Sequence, residues 1–224
     1  MTGLESLVDL APWVGPVALL LLGMVRGPTP TDPLSTDLGM VEAVRNGDAT
    51  AYRGLVEKYQ GRVYNVVYGM VRDQEDARDI TQDTFIKAFR SLHTFREDSQ
   101  FYTWLYRIAM NQAIDFTRRR GRGALPGAEE DVAFRHPGDL ASDPQNADGP
   151  RKVAERQQMM DAILLALDTL PEDQKQVILL RELEGLSYKE IAAVLDIAEG
   201  TVMSRLFYAR KKLVAWLTER GITP

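Results

Sequence analysis

From Val41 onward apolar side chains recur at three- and four-residue steps: Val41, Val44, Tyr52, Leu55, Val56, Tyr59, Val63, Val66, Val67 and Met70, with Asn46-Gly47-Asp48 as an interruption. That period lays them along one stripe of a helix, and the Asn-Gly-Asp break divides the stretch into two helices. A third amphipathic segment covers residues 75–92, with Thr81, Phe85, Ala88, Phe89 and Leu92 on its apolar face and Asp76, Asp79, Asp83, Lys87 and Arg90 opposite. A fourth covers residues 102–118, and its wheel assigns Leu105, Ile108, Ala109 and Phe116 to the core. Periodicity is lost over residues 120–150, which are rich in Gly, Pro, Asp and Ala. It returns from Arg151, with breaks at Leu170-Pro171, at Glu184-Gly185 and near Asp196. No segment alternates with the period of two that a sheet requires. The pattern predicts an all-α protein made of two small helical domains, residues 40–120 and 151–224, joined by a flexible acidic linker at 121–150.

Composition qualifies that picture. The 224 residues are 45% apolar, enough to bury a core, and 27 basic against 32 acidic residues give a net charge of −5. An acidic total argues against a polyanion-binding protein, but the distribution reverses the argument. Residues 1–39 carry one Arg against four acids and residues 121–150 carry two against six, so the helical segments are slightly basic, with clusters at Arg118-Arg119-Arg120 and at Arg205, Arg210, Lys211 and Lys212. The lack of cysteine excludes disulfides, thiol catalysis and Cys-ligated zinc. Two histidines, and no GxxxxGK[ST] or GxGxxG stretch, leave nothing that reads as an enzyme active site, a metal site or a cofactor site.

The run PWVGPVALLLLGMV, residues 12–25, is apolar but shorter than the roughly 20 residues a membrane-spanning helix needs. Glu5 and Asp9 precede it where a signal peptide has Lys or Arg, and Pro12, Gly15 and Pro16 interrupt its start. Residues 1–39 are therefore expected to form a poorly ordered extension of a cytoplasmic protein. A membrane-tethered adaptor is the rival reading.

Chemistry first appears in LSYKEIAAVLDIAEGTVMSRLFYARKKL, residues 186–213. A short helix with Ile191, Ala192 and Leu195 inward, a tight turn plugged by Ile197, and a second helix from about Glu199 form a helix-turn-helix. On the second helix Val202, Leu206, Ala209 and Leu213 share the core stripe. Gly200, Ser204, Phe207, Tyr208 and Lys211 face away, flanked by Arg205, Arg210 and Lys212. Phe can touch a thymine methyl, Ser a base edge or phosphate, and Lys and Arg the backbone. The motif alone leaves two kinds of protein open, a transcription initiation factor and a response regulator of the LuxR type.

The helix at 102–117 narrows the choice. Trp104, Arg107 and Asn111 lie together on a face distinct from the core stripe, at i, i+3 and i+7, and the polar loop before it carries Phe95. An aromatic to stack on an unpaired base, an Arg for phosphate and an Asn for a base edge make a single-stranded nucleic-acid surface. The alternative is that these aromatics pack against another helix of the bundle.

Three stretches, DARDITQDTFIKAF, FREDSQFYTWLYRIAMN and LPEDQKQVILLRELEGLSYKEIAAVLDIAEGTVMSRLF, carry a resemblance to the extracytoplasmic-function (ECF) sigma factors of the sigma-70 family, and to their envelope-stress, RpoE-like members in particular. The resemblance implies that Asp79, Gln82 and Asp83 grip the clamp helices of the largest subunit of core RNA polymerase. It implies that Phe95, Trp104, Arg107 and Asn111 melt the minus-ten element and capture a base. It also implies that Thr201, Ser204, Arg205, Phe207, Tyr208 and Lys211 read the minus-thirty-five element of promoter DNA as duplex, while the C-terminal domain docks on the flap of the second-largest subunit. An anti-sigma factor is a further implied partner. Met203 and Tyr208 stand where such factors often carry basic residues.

Overall fold

The structure, a computed structural model, describes residues 33–123 and 161–221. Among these residues every regular element is helical: α1 (Pro33–Arg45), α2 (Ala49–Val71), α3 (Gln74–Ser91), a 3-10 turn (Leu92–Thr94), α4 (Phe101–Gly123), α5 (161–168), α6 (Glu172–Glu182), α7 (Tyr188–Leu195) and α8 (Glu199–Glu219).

The interruptions anticipated from sequence are built from local backbone chemistry. Gly47 takes φ +99° to close the α1–α2 turn, and the Asp48 side chain caps α2 by accepting from the Thr50 N–H at 2.9 Å. Arg72 ends α2 in the left-handed region, its N–H returning to the Tyr68 carbonyl. Asp73 then caps α3 by accepting from the N–H groups of Glu75 and Asp76, both at 2.9 Å. Ser187 and Glu190 form a reciprocal capping box at the start of α7, and Asp196, at φ 55°, ends that helix. Burial pushes the Glu190 carboxyl up, but hydrogen bonds from Ser187 and Tyr102 outweigh it and hold the group below its ordinary range.

Two boundaries differ from the sequence expectation. The helical part begins at Pro33, not Met40, because Asp37 is buried and accepts from Lys58 Nζ at 2.6 Å and from the Tyr59 hydroxyl, which ties the start of α1 to α2. At the other end α4 runs on to Gly123. The apolar run at 12–25 and most of the acidic stretch at 121–150 lie outside the described residues.

Both helical halves contribute to one continuous apolar core. Leu55, Tyr59, Leu105 and Met110 from the first half and Leu167, Leu179, Leu180 and Ile191 from the second are all essentially inaccessible. α4 is the central element, packed on α2 and α3 along one side and on α7 along another. This corrects its wheel: Tyr106, Met110 and Ala113 are buried, while Ile108 and Phe116 are only half-buried, because a helix covered from two sides needs apolar residues beyond a single stripe. α6 is likewise buried from Gln176 to Leu180. It approaches α2 so closely that a Cβ at Gly69 would lie 2.6 Å from Leu179 Cδ2.

Polar groups also join the halves. Arg62 Nε donates to Glu184 Oε2 at 2.8 Å, the Tyr106 hydroxyl donates to the same oxygen, and the Glu184 side chain is fully buried. Around this knot Tyr102 donates to Glu190, Thr117 to Glu172, and Arg72 Nε to Asp168 Oδ2 at 3.1 Å. Burial raises the Glu184 carboxyl above its ordinary range, against the pull of Arg62. Burial and the Glu190 carboxylate push Tyr102 up to about 12.

Candidate nucleic-acid interface

Three exposed surfaces collect the sequence-predicted residues. The first lies on α4. Arg107 and Asn111 project into solvent one helical turn apart, with no side-chain hydrogen bond or ion pair among the described residues. Trp104, one turn earlier, is half-buried: its ring packs at centroid distances of 5.5 Å from Phe95 and 5.8 Å from Phe101. The indole is thus braced from behind, with one side left open.

Phe95 is corrected. It was expected to offer its ring from the loop, but it is 3% exposed. The 3-10 turn folds it inward, Arg45 donates to the carbonyls of Leu92 and Phe95, and the Arg45 guanidinium sits 5.9 Å from the centre of its ring. In this arrangement Phe95 supports Trp104 and presents nothing to a ligand.

The second surface is the polar side of α3, where Asp79, Gln82 and Asp83 are exposed. Beside them a groove between α3 and α4 is lined by Asp76, Asp79, Asp83, Asp115 and Arg119. The Asp76 carboxyl is raised by partial burial and by neighbouring Asp73, while Arg120, at 3.1 Å, pulls the other way. Sequence reasoning missed two members of this face. Phe89, assigned to the core, is 49% exposed with its ring edge-on to Tyr52 at 4.9 Å, and Ile86 is 41% exposed. Ile86 could have been found from its spacing of three from Asp83. Phe89 could not, since its placement depends on α1 and α2 leaving that flank of α3 uncovered.

The third surface is the outer side of α8. Val202, Leu206, Ala209, Leu213 and also Leu217 are buried as the periodicity requires. Ser204, Tyr208 and Lys211 are exposed, and Thr201, Arg205 and Phe207 are half-buried. Ser204 donates to the Thr201 carbonyl at 3.0 Å, Phe207 and Tyr208 meet edge to face at 5.3 Å, and Arg205 pairs with Asp173 at 3.1 Å. Arg210 donates to Glu182 at 2.7 Å and is structural.

Among the described residues no group of His, Cys, Asp and Glu is placed to hold a metal, and no helix is long and apolar enough to cross a membrane.

Comparison with known proteins decides the family. Residues 55–123 match the family model "Sigma-70 region 2", and residues 160–213 match "Sigma-70, region 4". The chain is 39% identical over 178 residues to the ECF RNA polymerase sigma-E factor of Escherichia coli K12, spanning 80% of this chain and 92% of that one. The chain belongs to the ECF sigma factors. It is also 41% identical over 180 residues to the RNA polymerase sigma-H factor of Pseudomonas aeruginosa, covering 79% of this chain and 91% of that one. Among solved structures it resembles CnrH in complex with the cytosolic domain of CnrY (TM-score 0.61, 26% identity, 82% of this chain and 98% of that one). A second is the sigma factor RpoE of Bartonella quintana in complex with the anti-sigma factor NepR (TM-score 0.59, 25% identity, 75% and 96%). In this sigma factor region 2 runs from within α2 to the end of α4, and region 4 from α5 into α8. The initiation-factor reading stands over the LuxR-type regulator.

Proposed function

We propose that this ECF sigma factor divides initiation among its three exposed surfaces. The face of α3 bearing Asp79, Gln82 and Asp83, extended by Ile86 and Phe89, grips the clamp helices of core RNA polymerase. The α4 face holds the minus-ten element open: the braced Trp104 stacks on a base, Arg107 neutralises phosphate, and Asn111 offers a donor and an acceptor to a base edge. Binding there offsets the few kcal/mol lost when a base leaves the stack. The outer face of α8 reads the minus-thirty-five element as duplex, oriented by the buried stripe behind it. Nucleotide addition belongs to the polymerase, so the factor works in the cytoplasm without chemistry of its own. An anti-sigma factor is its regulator, in keeping with the solved relative RpoE of Bartonella quintana, whose structure is a complex with the anti-sigma factor NepR.

The observation that carries the melting role is the pairing of a braced indole with two exposed side chains that find no partner among the described residues, on one face of α4. Run-off transcription with core polymerase tests it. Trp104→Ala and Asn111→Ala are expected to initiate poorly on duplex templates and to recover on templates with a pre-opened minus-ten region. Parent-like initiation on duplex by both variants overturns the assignment.

A further inference from the structure

The face of α8 turned toward the duplex is less basic than its sequence suggests. Both arginines of α8 are engaged, Arg205 with Asp173 at 3.1 Å and Arg210 with Glu182 at 2.7 Å. The exposed residues of the first two turns are Glu199, Gly200, Met203 and Ser204, with half-buried Phe207 following. Met203 is 54% exposed, one of the few large apolar side chains so exposed among the described residues. It lies one turn before Phe207, which continues the apolar ridge to Tyr208. Gly200, at the second position of the helix, has nothing within 4 Å of where its Cβ would be. An open Gly200 lets the backbone come close to a ligand at the end of the helix that enters the major groove.

A thioether donates no hydrogen bond and accepts only weakly, so Met203 cannot read the polar edge of any base pair. The major groove offers such a side chain one distinguishing feature, the C5-methyl group of thymine. Resting on the reading of α8 as the minus-thirty-five reader, we infer that Met203 is a specificity-determining residue that selects thymine at one position of that element by contact with its methyl group. Exposed Lys211, further along the same side, supplies attraction to the phosphates but no sequence information.

The test removes the methyl group alone. A minus-thirty-five element is selected from randomised duplex with the full chain bound to core RNA polymerase, and each thymine of the selected element is then replaced singly by deoxyuridine. At one position the replacement is expected to weaken binding by the parent about four-fold, the loss of one buried methyl contact, and to leave binding by Met203→Ala unchanged. Met203→Ala should fold with an unaltered Tm, since the side chain it removes is mostly in solvent. Equal losses in parent and variant at every thymine, or a selected element without thymine, overturn the inference while leaving the assignment of α8 intact. Failure to select any preferred sequence overturns that assignment itself.

Discussion

Glu184, the last residue before the glycine turn that leads into the helix-turn-helix, receives the Arg62 guanidinium at 2.8 Å and the Tyr106 hydroxyl on a single oxygen. Its side chain has no exposed surface, and Arg62 is about a quarter exposed. Removing one partner of such a pair leaves a charge without compensation in low dielectric. Arg62→Ala is therefore expected to lower stability by about 3 kcal/mol, and Tyr106→Phe by about 1–2 kcal/mol, both measured by urea unfolding.

The same carboxyl makes stability depend on pH. Burial places its folded pKa above the ordinary 4.5, so folding favours the protonated form. Its contribution is then fully present below pH 4.5 and is lost as pH rises through the folded value. Glu184→Gln, which keeps an acceptor for Arg62 but cannot ionise, should gain in Tm relative to the parent as pH is raised from 4.5 toward neutrality. A constant difference between the two proteins across that range would show that Glu184 does not titrate in this window.

Gly69 and Leu179 give a prediction that changes sign. A methyl at Gly69 meets Leu179 Cδ2 at 2.6 Å, so Gly69→Ala should cost about 1–3 kcal/mol through overpacking. In a Leu179→Ala background the clash is gone and only the helix preference for alanine remains, worth about 1 kcal/mol in the opposite direction. A double-mutant cycle by chemical denaturation reads both values.

On α4 stability and function should separate. Asn111→Ala removes an exposed side chain and is expected to change stability by less than about 0.5 kcal/mol while slowing open-complex formation. Trp104→Ala strips the cover from Phe95 and Phe101 and should lose about 3 kcal/mol as well as melting activity. Thermal unfolding alongside permanganate footprinting of the open promoter distinguishes the two.

How much of this was legible in advance depends on where each residue gets its environment. The breaks at Gly47, Pro171, Gly185 and Asp196 were readable because each is set by its own neighbours, and the buried stripe of α8 was readable because α6 and α7 cover it from one side only and leave the other to solvent. Tyr106 and Met110 were not, because α4 is packed on one side by α2 and α3 and on another by α7, an arrangement no local period encodes. Phe95 failed for the same reason: its loop looked exposed, and it is the packing of its ring on Phe101 and Trp104, with Arg45 reaching across from α1, that makes it interior. Asp37 was hidden likewise, since its partners Lys58 and Tyr59 lie on the next helix. For the outward residues Arg107, Asn111 and Ser204 the wheel sufficed, because solvent asks nothing more of them.

The packing of region 4 against region 2 also bears on how the factor would be switched on. If core polymerase spreads the two regions along a promoter, every contact between them, from Gly69 against Leu179 to Arg62 on Glu184, must be broken first. The closed form then acts as a competitor built into the chain, and observed affinity for polymerase is reduced by the fraction of molecules it holds. A looser interface would raise that affinity without touching any residue that meets polymerase or DNA. The threshold for initiation would thus be set in the interior of the protein, by residues that no promoter reads.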